Sequence, residues 1–398
     1  MATVKSANRT LSALGTTIFE VMSRLAEQHG AVNLGQGFPD EGYPHDVLEA
    51  AARATLEGWN QYPSTMGTPS LRQAVAAHGK RFYGLDVDWQ REVLVTSGAT
   101  EALASTLLGL LEPGDEVVVF QPLYDCYLPM IRRGGAVARF VNLRLPDWSI
   151  DPDELRAAFS ARTKAVLVNN PQNPAAKVWS RDELALVAGL ALEFDAYVIC
   201  DEVYEHLTFD GAAHIPLITL EGMRDRAVKI GSAGKTFSLT GWKIGYLTAA
   251  PEVLAPIAKA HQFVTYTSAP NLQEAVAYGL GKDDGYFQGL VELLGARRDK
   301  LSSGLAALGW PVLDCQGTYF VCADIGGLGW TPAADDPNRD GPLDAAFCQW
   351  LVREVGVAAV PVSAFYDEDP LTTVVRFCFC KKEATIDAAL ERLNARFG

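Results

Sequence analysis

Helix-period segments and short β-branched runs take turns along this chain from about residue 46 to about residue 280. The helical pattern falls at 46–57, 69–83, 100–111, 152–159, 181–193 and 271–280. Between these lie Glu92–Thr96, Glu116–Phe120, Ala136–Leu143, Lys164–Asn169, Ala196–Cys200 and Ala227–Ile230. Parallel strands cannot be joined by tight turns and need a crossover, usually a helix. The alternation therefore predicts an α/β fold: a doubly wound, mostly parallel sheet with helices on both faces. In such sheets ligands bind beyond the carboxyl ends of the strands, so chemistry is sought just after each run.

The pattern changes near residue 286. The stretch 286–308 reads as one long helix stopped by Gly309 and Pro311. Strand candidates 317–324, 356–360 and 373–380 follow, with helices at 343–354 and 383–396 and a polar, turn-rich loop at 331–342. This predicts a second, smaller α+β unit. With 398 residues, 48% of them hydrophobic, the chain can bury a large core. A formal charge of −14, from 34 basic and 48 acidic residues, repels phosphate backbones and anionic membranes. Neither nucleic acid nor membrane is expected as a partner. The seven cysteines form no C-x-x-C pair and sit among apolar neighbours, which fits buried free thiols in a reducing cytoplasm. The opening MATVKSANRT lacks the apolar core of a signal peptide, and no apolar run approaches the ~20 residues of a membrane span.

Three successive strand ends carry unusual polar groups. One run leads into Asn170-Pro171-Gln172-Asn173-Pro174, the next into Asp201-Glu202-Val203-Tyr204, the third into Gly231-Ser232-Ala233-Gly234-Lys235-Thr236. A phosphate-cradling G-x-x-x-x-G-K-[ST] loop would need glycine where Lys229 stands, so that motif fails. There is no G-x-S-x-G elbow and no H-E-x-x-H, and the six histidines are scattered, so no metal is expected. Gly35-Gln36-Gly37 lacks the third glycine of a dinucleotide fingerprint. Pyridoxal 5′-phosphate (PLP) chemistry accounts for the set. A lysine amine condenses with the cofactor aldehyde. A carboxylate keeps the pyridine nitrogen protonated, and phenol and amide groups hold the ring's 3-oxygen. Ser97-Gly98-Ala99-Thr100, at a strand end and helix start, can donate backbone N–H groups to a phosphate, and Lys243 can add a cation.

On these residues the chain resembles the class I PLP-dependent aminotransferases of fold type I, most of all the kynurenine and methionine aminotransferase subgroup. The resemblance is carried by NLGQGFPD (33–40), NQYPSTMGTPSLR (60–72), SGATEAL (97–103), YDCY (124–127), CDEVYEH (200–206), SAGKTFSLTGWKIGY (232–246) and VRFCF (375–379), in order over nearly the whole chain. It implies a large domain at 46–285 built on a mostly parallel seven-stranded sheet sandwiched by helices. It implies a small C-terminal domain at 286–398, and a segment 1–45 that forms an N-terminal arm and part of the small domain. Lys235 would be the Schiff-base lysine and proton carrier, Asp201 the partner of the ring nitrogen, and Tyr204 and Asn173 the partners of the 3-oxygen. Tyr124 would stack on the ring. Ala99, Thr100, Ser232 and Lys243 would bind the phosphate, with Tyr62 reaching in from a second subunit of a homodimer whose active sites lie at the interface. Arg376 would clamp the substrate carboxylate, assisted by Gly37 and Asn173, while Phe19 and the second subunit's Tyr266 line the side-chain pocket. Gln172, Ala175 and Ala176 depart from the family's usual N-P-H-N-P-T-G and put the geometry of that loop in question. Thr100 and Thr267 stand where kynurenine-preferring members carry tyrosine and histidine.

Singly, each residue has a plainer reading. Asp201 could close a turn, Lys235 could be solvated, the aromatics could be core, and Arg376 could sit in a structural salt bridge. The ordered combination favours a ping-pong transaminase taking amino acid and 2-oxo acid substrates: methionine first, then aromatic amino acids, kynurenine or glutamine. The alternatives are a PLP-dependent cysteine-conjugate C–S β-lyase, a non-catalytic effector-binding protein, and a protein with a dead site.

Overall fold

The structure is a computed structural model and describes residue 5 and residues 7–398. The central sheet has seven strands: β1 Val93–Thr96, β2 Glu116–Gln121, β3 Val137–Asn142, β4 Thr163–Asn169, β5 Tyr197–Asp201, β6 Ala227–Ser232 and β7 Gly245–Ala249. Their order is β1-β7-β6-β5-β4-β2-β3, with β7 antiparallel to both neighbours and the other pairings parallel. Strands β2 and β7 are buried along their whole length, as expected of a sheet covered on both faces.

Alternate residues feed two different cores, the period-2 consequence of the pleat. Val117, Val119, Ile199 and Ile230 pack with Leu103, Leu107, Leu254 and Ile257, from helices Gly98–Leu110 and Pro251–Val264. Val118, Val166, Val198 and Cys200 pack the other way, against Leu184 and Val187 of helix Arg181–Glu193. That helix starts at a capping box, Ser180 with Glu183. Helix Pro69–Tyr83 has Thr68 as its cap and Pro69 in its first turn, and ends at Gly84 in the left-handed conformation.

A smaller antiparallel sheet comprises β8 Phe320–Asp324, β9 Val360–Pro361 and β10 Val374–Cys378, with β10 in the middle. Val32–Asn33 pairs in parallel with Val357–Ala358. The long helix spans Asp284–Ala307. Met22 and Ala26 of helix Ile18–His29 join the core of this C-terminal layer, together with Leu34, and so do Ala176 and Tyr204 from the large sheet's loops. The two layers thus share apolar contacts where the strand ends of the large sheet open. Among the described residues no helix is long and apolar enough to cross a membrane.

Candidate active site

The loops after β4, β5 and β6 meet because their parallel register sets Asn169 beside Asp201, and Asp201 beside Ile230. They wall a cavity of about 450 Å³ that is closed from the other side by Gln36–Phe38, Phe320 and Arg376. Twelve of the residues singled out in the sequence line it: Phe19, Gly37, Ala99, Thr100, Tyr124, Asn173, Asp201, Tyr204, Ser232, Lys235, Lys243 and Arg376. Tyr62 and Tyr266 do not. Their rings pack edge-to-face 5.4 Å apart on an exposed part of the chain.

Asp201 ends β5 and is buried. Its Oδ2 accepts a 2.6 Å hydrogen bond from the Tyr127 hydroxyl, while Oδ1 has no partner. Burial raises its pKa to about 6, against the lowering effects of Tyr127, the Val203 N–H and Lys235. A buried carboxylate oxygen left unpaired is costly. A protonated ring nitrogen would satisfy it, so this donor set fits PLP.

Gly98, Ala99, Thr100 and Lys243 form a wall of the same cavity with the chemistry to hold an anion. Helix Gly98–Leu110 begins directly after Ser97, with Gly98 at φ +76°, so its first N–H groups face the cavity end. Lys243 is held at φ +55° beside it; a side chain on Gly98 would come within 3.3 Å of the lysine Nζ. Gly245 is equally confined, since a Cβ there would lie 2.5 Å from the Gly98 carbonyl carbon and 2.7 Å from the Ala99 nitrogen. A side chain at Gly98 would press on Lys243, and one at Gly245 on the backbone of the helix start.

Arg376, in the middle of β10, is 1% exposed. Nη1 donates to Asn173 Oδ1 at 2.7 Å and Nη2 to Gly35 O at 3.0 Å, while Nε is unpartnered. Its guanidinium lies over the Phe320 ring at 3.8 Å. Among the described residues no carboxylate pairs with it, so the salt-bridge reading of this arginine fails. Burial lowers its pKa. A buried cation without an acidic partner is suited to pairing with a carboxylate from outside the chain.

Lys235 sits on the short helix Ala233–Thr236. Its Nζ donates to the Tyr319 hydroxyl at 2.7 Å, and burial lowers its pKa. Tyr204 is buried with its ring edge-to-face to Tyr319. The loop that departs from the family pattern is braced by its own substitution. Gln172 Oε1 accepts from Ala175 N at 2.7 Å, Gln172 Nε2 donates to Pro122 O, and Ala176 takes φ +59°. Sequence reasoning gave no role to Tyr127 or Tyr319. Tyr127 lay inside the quoted YDCY phrase, and Tyr319 carried no signal beyond the turn residues Gly317-Thr318 before it.

The family model "Aminotransferase class I and II" matches residues 29–393. The chain is 45% identical, over 96% of its length and 97% of the relative's, to a probable N-succinyldiaminopimelate aminotransferase of Mycobacterium tuberculosis. It is 39% identical, again over 96% and 97%, to the methionine aminotransferase of Escherichia coli K12. The solved structure of an N-succinyldiaminopimelate aminotransferase from M. tuberculosis superposes with a TM-score of 0.92 at 44% identity, covering 98% of this chain and 100% of that one.

Proposed function

The chain belongs to the class I and II aminotransferases, and on that premise we propose that it moves the α-amino group of a large, weakly polar amino acid to a 2-oxo acid, with Lys235 carrying the cofactor. Members of this family are PLP-dependent transaminases of the EC 2.6.1 type, acting on amino acid and 2-oxo acid substrates. The observation that best supports the residue assignments is the orphaned Asp201 oxygen in the same cavity as the Lys235 amine.

When bound, PLP supplies the sink for the electron pair left when the substrate Cα–H bond breaks. Asp201 would hold the proton on the ring nitrogen. Tyr204 and Asn173 would donate to the 3-oxygen, and Tyr124 would stack on the ring. The Ala99 and Thr100 N–H groups, the Ser232 hydroxyl and Lys243 would hold the phosphate. Arg376 forks the substrate carboxylate, with Asn173 and Gly37 completing that subsite. This fixes the Cα–H bond where Lys235 Nζ can take its proton. The lowered lysine pKa favours the neutral amine that this step needs. Tyr62 and Tyr266 serve the site of a second copy in a homodimer. We also propose the division into a large domain at 46–285 and a small domain at 286–398 joined by the N-terminal segment, and a cytoplasmic setting that suits seven unpaired thiols.

The substrate class rests on the walls. Phe19, Phe38, Tyr124 and Phe320 line the cavity, and its three basic residues, Lys235, Lys243 and Arg376, each have a proposed role already. None is left for a second carboxylate. A second reading, an N-acylated diamino dicarboxylate, is favoured by the name of the 45%-identical relative. A panel of amino donors against a few 2-oxo acids separates these. Methionine and phenylalanine should lead; aspartate or the succinylated donor exceeding methionine about tenfold in kcat/KM would overturn the neutral-substrate reading. Pyruvate and ammonia released from a cysteine conjugate without an acceptor would instead show C–S lyase activity.

A further inference from the structure

Lys235 Nζ lies 2.7 Å from the Tyr319 hydroxyl oxygen, which lies 2.7 Å from the Gly37 carbonyl oxygen. A carbonyl can only accept, so the single phenol proton belongs to the bond with Gly37. The phenol oxygen can then only accept from Lys235. Charged or neutral, the amine must point one N–H at Tyr319, and in the neutral amine the lone pair stays unused by this contact. From this we propose that Tyr319 is a positioning residue for amino-group transfer: it holds the free Lys235 amine by one N–H, leaving the lone pair open to the proton it must take. The proposal rests on the reading of Lys235 as the cofactor-carrying base.

The hydroxyl has no freedom to wander. Tyr319 is 1% exposed, and its ring is set edge-to-face against Tyr204 at 5.2 Å and Phe320 at 4.8 Å. Gly37 approaches so closely that a Cβ there would lie 2.5 Å from the Phe320 ring and 3.3 Å from that of Tyr319. The same stretch of backbone serves Arg376, which donates to Gly35 O at 3.0 Å. Lys381 then fastens it, donating to Phe38 O at 2.9 Å and Asp40 Oδ1 at 3.0 Å. Residues 35–38 therefore link the orientation of the amine to that of the guanidinium. The titratable and charged groups around the amine are Asp201, Tyr204, Tyr319, Arg376, Cys378 and Cys380; burial is the foremost influence on it, and Arg376 acts in the same direction.

Tyr319→Phe keeps the ring and deletes the hydroxyl. In the full-length, cofactor-depleted protein, the rate of PLP capture against pH has a midpoint set by the amine. Losing an acceptor disfavours the charged amine most, so the midpoint falls by about one pH unit. In the loaded enzyme the single-turnover reaction with an amino donor slows ~10- to 100-fold while donor KM stays within about twofold. A merely structural defect would slow capture and raise KM together, and that result overturns the proposal. So does a variant matching wild type in both midpoint and turnover. Should Tyr319→Phe not fold, 3-fluorotyrosine at position 319 weakens the acceptor without changing the packing, and an unmoved midpoint there overturns the proposal equally. Lys235→Ala keeps the two readings apart: if it captures PLP like wild type, the assignment of Lys235 fails, whatever Tyr319 does.

Discussion

Asp201 is a carboxylate with one oxygen bonded to Tyr127 and the other facing the cavity alone. A pKa raised to about 6 means that the ligand-free fold binds the Asp201 proton more tightly than the unfolded chain does. Its stability should therefore fall as pH climbs from about 4 to 6, and bound cofactor should restore it. Asp201→Asn removes the uncompensated charge. Compared with wild type at pH 7, the ligand-free variant should gain up to about 3 kcal/mol in denaturant unfolding. The loaded variant should lose at least ~100-fold in kcat. A ligand-free variant less stable than wild type would contradict this. At this scale the sequence was informative where a polar residue stood in an unlikely place. Asp201 and Lys235 follow apolar strands, and Arg376 interrupts one. Tyr127 and Tyr319 gave no such contrast, because an aromatic among apolar neighbours is core by default, and only the hydrogen bonds distinguish them.

At the scale of elements, the parallel strands were legible to within a few residues, since each is a short β-branched run between helices. Strand β7 was not, because Gly245–Ala249 is short and has only one β-branched residue, Thr248, between a glycine and an alanine that favour strands weakly. Helix Pro251–Val264 was hidden by Pro256 inside it, and Ile18–His29 by its mixed composition. Helix 343–354 ends instead at Trp350 and continues as a wider turn to Val355. A buried polar network supports the loop that follows β5. Lys229 Nζ lies 2.6 Å from Glu205 and 3.5 Å from Glu202, and Glu202 meets His214 at 2.9 Å. His78, Glu205 and His206 could converge on a metal ion, but the Lys229 ammonium already supplies the positive charge to Glu205. Lys229→Met leaves buried carboxylates uncompensated and should cost ~3–5 kcal/mol in unfolding free energy. A cost under about 1 kcal/mol would show that the network is not held by this cation. Burial also lowers His78 to about 4 and His206 to about 3. Both stay neutral in the fold, and their contribution to stability is lost as pH falls below about 6.5.

The whole molecule places one site between two layers, and two of the tyrosines proposed to serve such a site lie outside it. Tyr62 is 79% exposed and packs on Tyr266, and Leu56, Trp59 and Phe263 are exposed on the same stretches of chain. A second copy seated here would cover these side chains and bring the two tyrosines to its own cavity. Mixing inactive Lys235→Ala with impaired Tyr62→Ala chains should then recover activity, because one site of each mixed dimer has both groups intact. Mixtures no more active than the sum of their parts would rule out a shared site. Every proposed role in the cavity is arranged around a cofactor held by Lys235. Borohydride reduction of the loaded enzyme, followed by mass mapping of its peptides, reads this directly. The predicted result is a single pyridoxyl label on Lys235; a label on Lys243, Lys229 or any other lysine, or none at all, would contradict it.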